Sequence, residues 1–479
     1  RSPGSRLRNA AVIGSATLAA VALVVFAVRL KQRRGDDGGA AHHAAAGQGQ
    51  EPLPYINYAP VRPEQRGKAG TTTYLKDKAF RGYNLYVPKP DSAALLVDMQ
   101  GEIVHRWSSK EGLAPHPLDR WRGWFTVRMA KNGDLYAALD HNALIKLDWN
   151  SKLLWKATDV AAHHEVRIAD DGDVYAIAGD LRMADVGGKS RLIEDNYVAV
   201  VSPEGQVKKR ISFYDLFAKN PDLMKILDER AARTFRRLDR EGLDALVKKK
   251  ASLDKLKTLT STGKLEGASL YDEFLLTRDV PGIPCDLFHA NALVLLKDHP
   301  GGLWKDGDIL ASFRYMSLLV AFDPTDLHVK WWWGPGEVFG QHNPSVLPNG
   351  DLLIYDNGTW RPGTGRRGGG GAGKYTRLVE LDPVAKKIVW TYEATPRDSF
   401  YSPGSGTAQL LPNGDILVGE EDGRAFEIAK DSKETVWEYY NPRFDPTGQR
   451  RSGMYRIERL APEVVEPLLG AGNTPAAAH

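Results

Sequence analysis

Cysteine is nearly missing. Cys285 is the single one in 479 residues, which excludes an internal disulfide framework and any cysteine-rich zinc site, and leaves the redox compartment open. An excess of charge of one sign is missing as well: 64 Lys and Arg stand against 60 Asp and Glu, a net charge of +4. Spread over this length, that balance gives no basis for a nucleic-acid footprint. The compositional bias of a disordered chain is also absent, because 42% hydrophobic and 26% charged residues are enough to bury a core.

The first 50 residues differ from the rest. From Asn9 to Val28 there is no charge and nearly every residue is apolar, ending at the basic group Arg29, Lys31, Arg33 and Arg34. This is about the length of one bilayer-spanning helix, and the basic residues directly after it take the place of the small-residue site of a cleavable signal. The reading is an uncleaved membrane anchor over 1–34, its transmembrane helix about 9–28. Arg1, Arg6 and Arg8 nearly balance the cluster on the other side, so charge does not orient it. A Gly- and Ala-rich linker and lead-in follow over 35–75.

From there the chain repeats itself. Asn132-Gly133-Asp134, Asn349-Gly350-Asp351 and Asn413-Gly414-Asp415 each precede an apolar strand-like run, and Asp171-Gly172-Asp173 and Asp306-Gly307-Asp308 are variants. These are hairpin signals, expected to form turns with positive φ at both central positions. Each is followed by a second pair of strands, apolar run, Asp or Pro turn, then typically a strand carrying Trp, as in Val379–Asp382 to Trp390. Four antiparallel strands per unit, repeated, define a propeller blade. A half-unit from Ala94 to Trp107 lacks its front hairpin, and the run Met454–Leu460 is an orphan strand; joined, they make a sixth blade. The expectation is an all-β, six-bladed β-propeller over 76–465, with five or seven blades as the alternatives and a tail over 466–479. Apolar residues at helical spacing (Leu223, Ile226, Leu227, then Leu243, Leu246, Val247, then Leu253, Leu256) predict a helical insertion about 215–260. Arg366, Arg367 and the glycines after them predict a flexible loop about 359–374.

Strand order places the chemistry. The start of strand one and the end of strand two of every blade lie on one face. Strand-one starts carry His164, His289 and His342; strand-two ends carry His141, Arg182, Arg314 and Asn357, with Arg361 just beyond. His164 and His342 stand eight residues before Gly172 and Gly350, in equivalent positions. A guanidinium recognises sulfate or phosphate oxygens through its planar fork, and a neutral imidazole serves as nucleophile or proton donor to a phenolic oxygen. Arginines around the same mouth suit an anion better than a cation, so no metal is expected among His164, His289 and His342.

These residues resemble those of the bacterial aryl-sulfate sulfotransferases. The resemblance covers roughly 82–460 and rests on Gly82–Tyr86 with Ala94–Trp107, His163-His164-Glu165-Val166, His289-Ala290-Asn291 with Ile309–Arg314, Gln341-His342 through Asp356-Asn357-Gly358, Tyr375-Thr376-Arg377, and Ala408–Gly414 ending in Val436–Tyr439. It implies a periplasmic six-bladed propeller that moves sulfate between phenols with no nucleotide or other cofactor, through a transiently sulfated histidine. Carried over from it, His289, Asn291, Arg314, His342 and Arg361 match the oxyanion-holding positions; with the strand-order reading, the substrate-binding candidates are His164, Asn291, Arg314, Asn357, Arg361 and His141. In the family the nucleophile belongs to a later blade, where this chain reads Ser402-Pro403-Gly404-Ser405-Gly406, so the catalytic candidates are His342 and His289. The partners implied are an aryl sulfate, a phenol and the membrane. The alternative is a non-catalytic propeller, tethered by its anchor and docked on a larger membrane complex.

Overall fold

The computed structural model describes residues 57–110, 123–241, 286–362 and 374–470. The chain divides into two units, and all described residues except 237–241 belong to the unit formed by 53–236 and 284–479. The transmembrane helix expected about 9–28 and the greater part of the 359–374 loop lie outside the described residues, among which no helix is long and apolar enough to cross a membrane.

Six antiparallel blades account for the strands except one short pair, Tyr58–Pro60 with Arg450–Ser452. Blade I takes its innermost strand from the C-terminal end, Met454–Leu460, followed outward by Tyr83–Pro88, Ala93–Val97 and Ile103–Ser108. Blade II comprises Thr126–Met129, Leu135–Leu139, Ala143–Leu147 and Leu153–Ala157; blade III Ala162–Ile168, Val174–Val186, Lys189–Val201 and Val207–Ser212. Blade IV comprises Ala290–Leu295, Ile309–Phe313, Leu318–Phe322 and Val329–Trp333; blade V His342–Val346, Leu352–Asp356, Arg377–Asp382 and Lys387–Tyr392. Blade VI is Gly406–Leu410, Ile416–Glu420, Arg424–Ile428 and Thr435–Tyr440, with Gly70–Tyr74 as a fifth, outer strand. The lead-in read over 35–75 therefore contributes two strands, and the ring gains material before residue 76.

The turns follow the Asn-Gly-Asp pattern by a different geometry from the expected one. Only the glycines have positive φ (Gly133 87°, Gly350 93°, Gly414 89°). The amide of Gly133 donates to Ala130 O at 2.9 Å, and Asn132 Oδ1 accepts from the amide of Asp134 at 3.2 Å. This is a type I turn closed by a left-handed glycine, in which Asn contributes its side chain and not a strained backbone.

Neighbouring blades are stapled by strand-four side chains reaching the outer turn of the next blade. The indole of Trp155 donates to Pro203 O at 2.8 Å, that of Trp331 to Pro383 O at 2.9 Å, and that of Trp437 to Met99 O at 2.9 Å. Each Trp thereby fills the apolar space between sheets and satisfies its one donor. The second and third strands of blade III run 13 residues each, so their hairpin extends past the blade. Helices α1 (Phe213–Lys219) and α2 (Pro221–Glu241) open the predicted insertion; α2 buries Leu223, Leu227, Ala231 and Phe235 at four-residue spacing. Beyond the last strand, α3 (Pro462–Gly470) extends into the predicted tail and packs Val465 and Leu468 onto the core shared by blades I and II.

Ring closure is fixed by Arg459. Its guanidinium, fully buried, pairs with Glu427 Oε2 of blade VI at 2.9 Å, while Nε donates to Asn84 Oδ1 of blade I at 2.5 Å. Burial pushes the Glu427 carboxyl up and the Arg459 guanidinium down, against their mutual attraction. Desolvation thus outweighs the pairing, and the pair specifies register more than it adds stability. Arg459→Met is expected to lower unfolding free energy by about 3–5 kcal/mol, because it strands a buried carboxylate, and Glu427→Leu added to it is expected to restore part of the loss. Denaturant titration of the three variants checks this; a single-variant loss under about 1 kcal/mol would refute it.

Candidate functional site

One face of the ring collects the polar residues, and the backbone that presents them is irregular. The pairing of strands one and two shifts register between His163 and Val166, Ala290 and Ala292, His342 and Ser345, and Met454 and Ile457. Positive φ occurs at His141 (59°), His164 (56°), His289 (47°) and Asn343 (44°). Non-glycine residues avoid this region, and such strain persists where surrounding structure over-determines it, typically at functional sites. Here it turns side chains out of the pleat towards the mouth.

His164, His289 and His342 come together around Tyr455, the second residue of the closing strand. Ring centroids lie 5.0 Å apart for His164–His289, 5.7 Å for His164–Tyr455 and 6.4 Å for His342–Tyr455. All four side chains are buried. Burial, then the neighbouring His163, His289, His141 and His342, holds His164 well below the ordinary imidazole range, so it is neutral at pH 7.

His342 has a defined tautomer. Asn357 Nδ2 donates to the carbonyls of Ser402 (2.6 Å) and Ser405 (2.9 Å), so its Oδ1 faces His342 Nδ1 at 2.7 Å and accepts from it. The proton therefore sits on Nδ1. Nε2 is buried and meets no hydrogen-bond partner among the described residues. Burial and the nearby Arg314 guanidinium hold the ring well below its usual pKa in spite of the Asn357 bond. A neutral imidazole with an Nε2 lone pair that no hydrogen bond engages is what nucleophilic attack requires.

Arg314 follows strand two of blade IV and is buried, 4% exposed. It donates one bond to Pro403 O at 3.0 Å and lies over Trp360, 4.8 Å to the ring centroid. No carboxylate pairs with it among the described residues, and its Nε has no partner. A buried guanidinium in this state has the charge and the unused donors to bind an anion. Glu421 interacts with it, accepting from the amide of Gly404 at 2.8 Å. Burial, against that bond, pushes the Glu421 carboxyl up to about 8, so at neutral pH it is mostly uncharged and leaves the Arg314 charge uncompensated.

Asn291 donates to Gln341 O at 2.7 Å, which fixes its amide beside the His342 peptide. His289 is held by Asp286, whose Oδ2 accepts from Nδ1 at 2.5 Å, and its ring lies 4.4 Å from Tyr315. His141 stacks on His163 at 4.2 Å between two carboxylates, with Nδ1 2.9 Å from Asp140 Oδ1 and Nε2 3.5 Å from Glu194 Oε1. Against the effect of burial, those carboxylates push it up to about 9.

Two of the predicted arginines take other work. Arg361 binds Asp356 Oδ2 at 2.7 Å, the oxygen that also accepts Arg377 Nε at 2.8 Å, and it reaches Tyr375 O at 3.1 Å. Arg182 lies on the extended hairpin of blade III, bonded to Asp195 at 3.2 Å and Asp215 at 2.8 Å.

Tyr455, His163 and Glu421 were not singled out as site residues from the sequence. A signal for Glu421 existed, because the position seven residues after the turn glycine is Asp140 (from Gly133), Arg314 (Gly307), Asn357 (Gly350) and Glu421 (Gly414). Every one of these faces the mouth at the end of strand two.

The innermost strands also carry an ion cluster. Buried Glu165 meets Arg128 (3.3 Å), Arg167 (3.2 Å) and Arg456 (2.7 Å), joining blades I, II and III.

The six-bladed propeller thus carries at its mouth three buried histidines and a guanidinium that no carboxylate pairs with among the described residues. The family model described as Arylsulfotransferase (ASST) matches residues 125–441, the greater part of the chain, and the chain belongs to that family. A comparison with curated proteins returned no match. Similar solved structures include a protein of unknown function from Bacteroides caccae, at 11% identity over 79% of this chain and 99% of that one with a TM-score of 0.45. A quinohemoprotein alcohol dehydrogenase from Comamonas testosteroni follows at 15% identity, 81% and 68% coverage and a TM-score of 0.38. The WD40 beta propeller domain of Doa1 has 11% identity, 85% and 96% coverage and a TM-score of 0.38.

Arg167, Arg456 and Arg128 outweigh burial and hold the Glu165 carboxyl down to about 2. A depressed carboxylate pKa contributes stability that is present above the ordinary range and lost as pH falls through the folded value. Glu165→Gln is expected to be less stable by about 3 kcal/mol at pH 7, with the gap to the native chain closing between roughly pH 5 and 2. Denaturation midpoints across that range check it; a pH-independent gap would refute the assignment.

Proposed function

We propose that the protein transfers a sulfuryl group from an aryl sulfate to a phenol through a sulfated His342. The observation that carries this reading is the Asn357–His342 bond, which leaves a neutral ring with a free Nε2 beside the Arg314 guanidinium. The Nε2 lone pair attacks sulfur. The N–S bond forms as the aryl S–O bond breaks, and the electron pair of that bond leaves on the phenolate oxygen. His289, oriented by Asp286, supplies the proton. In the second half the acceptor phenol gives its proton to His289 and its oxygen attacks sulfur, returning the N–S pair to His342. Arg314 and the second N–H of Asn291 hold the equatorial oxygens, where charge builds up in the transition state. His164 and Tyr455 form the neutral wall against which the aryl ring packs.

The uncharged stretch 9–28 supports a membrane tether for the same chain, and the family resemblance supports a periplasmic propeller.

Incubation with a chromogenic aryl sulfate is expected to add one sulfuryl mass to the intact protein and none to His342→Ala, whose turnover falls at least about 10³-fold. Arg314→Met is expected to cost about 10²–10³ in kcat. An adduct that survives in His342→Ala would move the nucleophile elsewhere; a folded native chain that gains no mass would overturn the transfer reading.

Glu421 gives a second test. Above about pH 8 its carboxylate becomes charged and competes with the donor for Arg314. The donor KM is expected to rise roughly tenfold per pH unit through that range, and Glu421→Gln to flatten the profile. A KM rise that persists unchanged in the variant would exclude this role.

A further inference from the structure

The acidic side of the mouth holds a group that sulfuryl transfer does not use. His141 and Asp140 follow strand two of blade II, His163 lies on the innermost strand of blade III, and Glu194 on its third. One ligand atom from each of His141, His163 and Glu194 lies within 4.8 Å of the others, and His163 and Glu194 are buried. We infer that these three side chains form a binding site for one divalent transition-metal ion of the zinc class. It stands independently of the sulfated-histidine reading, and its histidines are not the trio at His164, His289 and His342.

Four observations carry it. The first is separation: His141 Nε2 stands 3.5 Å from Glu194 Oε1, and the edge of a tetrahedron with metal–ligand bonds of about 2.0–2.2 Å is roughly 3.4 Å. The second is orientation. Asp140 Oδ1 bonds His141 Nδ1 at 2.9 Å, the carboxylate–histidine arrangement that fixes the ring and points its other nitrogen at a metal. His163 Nδ1 meets His164 Nδ1, which directs the Nε2 of His163 away from that contact. The third is built space. The blade III position equivalent to Arg314, Asn357 and Glu421 is Gly179, and a Cβ there would lie 2.5 Å from Glu194 Oε1, so glycine leaves room for that carboxylate at the mouth. Asn196 Nδ2 steadies the same oxygen at 3.3 Å. The fourth is charge: the carboxylates of Glu194 and the supporting Asp140 balance a dication, and Arg182, on the strand paired with that of Glu194, is already bound by Asp195 and Asp215. Two histidines and one glutamate suit zinc, copper, nickel or ferrous iron over calcium or magnesium. Three protein ligands leave a fourth position for water or a phenolic oxygen.

The test uses the full chain, stripped with a chelator, dialysed, and titrated with zinc chloride against a chromophoric competitor, with cobalt(II) as the spectroscopic probe. One equivalent of zinc is expected, with cobalt giving the intense visible bands of a low-coordinate site. Affinity is expected to fall at least about 10–100-fold in His163→Gln and in Glu194→Gln, and to stay unchanged in His328→Ala, which removes an exposed histidine of blade IV. Gly179→Ala keeps every ligand but crowds Glu194, and is expected to weaken binding while circular dichroism stays native. A native chain that retains no zinc would overturn the site. So would stoichiometric zinc whose affinity and cobalt spectrum are unchanged in the His163 and Glu194 variants, since the metal would then lie elsewhere.

Discussion

A propeller stands or falls on closing its ring, and here closure depends on one strand brought back from the C-terminal end. Met454–Leu460 becomes the innermost strand of blade I, and its side chains go in three directions. Arg459 joins Glu427 of blade VI and Asn84 of blade I; Arg456 joins Glu165 of blade III; Tyr455 reaches the mouth, its hydroxyl donating to Asn291 O at 3.3 Å. The interactions that shut the ring are therefore continuous with those that arrange the site. Nothing apolar could do this as specifically, because two of the contacts are buried ion pairs whose desolvation is offset only when every partner is in register.

The same constraint explains the irregular strands at the mouth. Regular innermost strands would alternate their side chains between neighbouring blades and leave the axis to backbone. Register shifts in blades III, IV, V and I, with positive φ at His164, His289 and Asn343, break that alternation on one face only. The strain is held in place by bonds between blades: Asn196 Oδ1 accepts from the amide of Ala290 at 2.9 Å, and Asn343 Oδ1 from that of Ala408 at 3.0 Å. An asparagine from one blade thus satisfies an innermost-strand amide of the next.

The architecture was legible in the sequence because a turn repeats. A glycine at a fixed place in each hairpin gave the strand count, the strand order and the shared face, and with them His164, His289, His342, Arg314 and Asn357. What stayed hidden was partnership. Arg361 and Arg314 read alike as bases near the mouth, yet Asp356 takes the first, while the second bonds a carbonyl, lies over two aromatic faces and has no carboxylate salt bridge among the described residues. No periodicity distinguishes a neutralised guanidinium from an uncompensated one. Tyr455 was hidden for another reason: its strand was legible as the one that completes the sixth blade, but the register shift between Met454 and Ile457 beside Tyr455 has no signal in the sequence. The Asn-Gly turns show the limit of a local rule, since the motif located them correctly while their backbone takes another turn type, with Asn acting through its side chain.

Taken together, the mouth is polarised. Blades IV to VI present Arg314 and a Glu421 that burial keeps protonated near neutral pH, whereas blades II and III present Asp140 and Glu194 around His141 and His163. An aryl sulfate has the same asymmetry, an anionic sulfuryl group at one end and an aromatic ring that becomes a phenolate at the other. The guanidinium side suits the sulfuryl oxygens. The opposite side is acidic, so in the proposed transfer the aryl group leaves as a neutral phenol, on the proton that His289 supplies. Neutral His164, between the two poles, keeps both charges apart without screening either, since a buried uncharged ring is a low-dielectric spacer. Polarity across a distance this short is stable only because the ring fixes both halves. The demand for closure met by Arg459 and Arg456 is thus also what lets opposite charges face each other across the mouth without collapsing into a salt bridge.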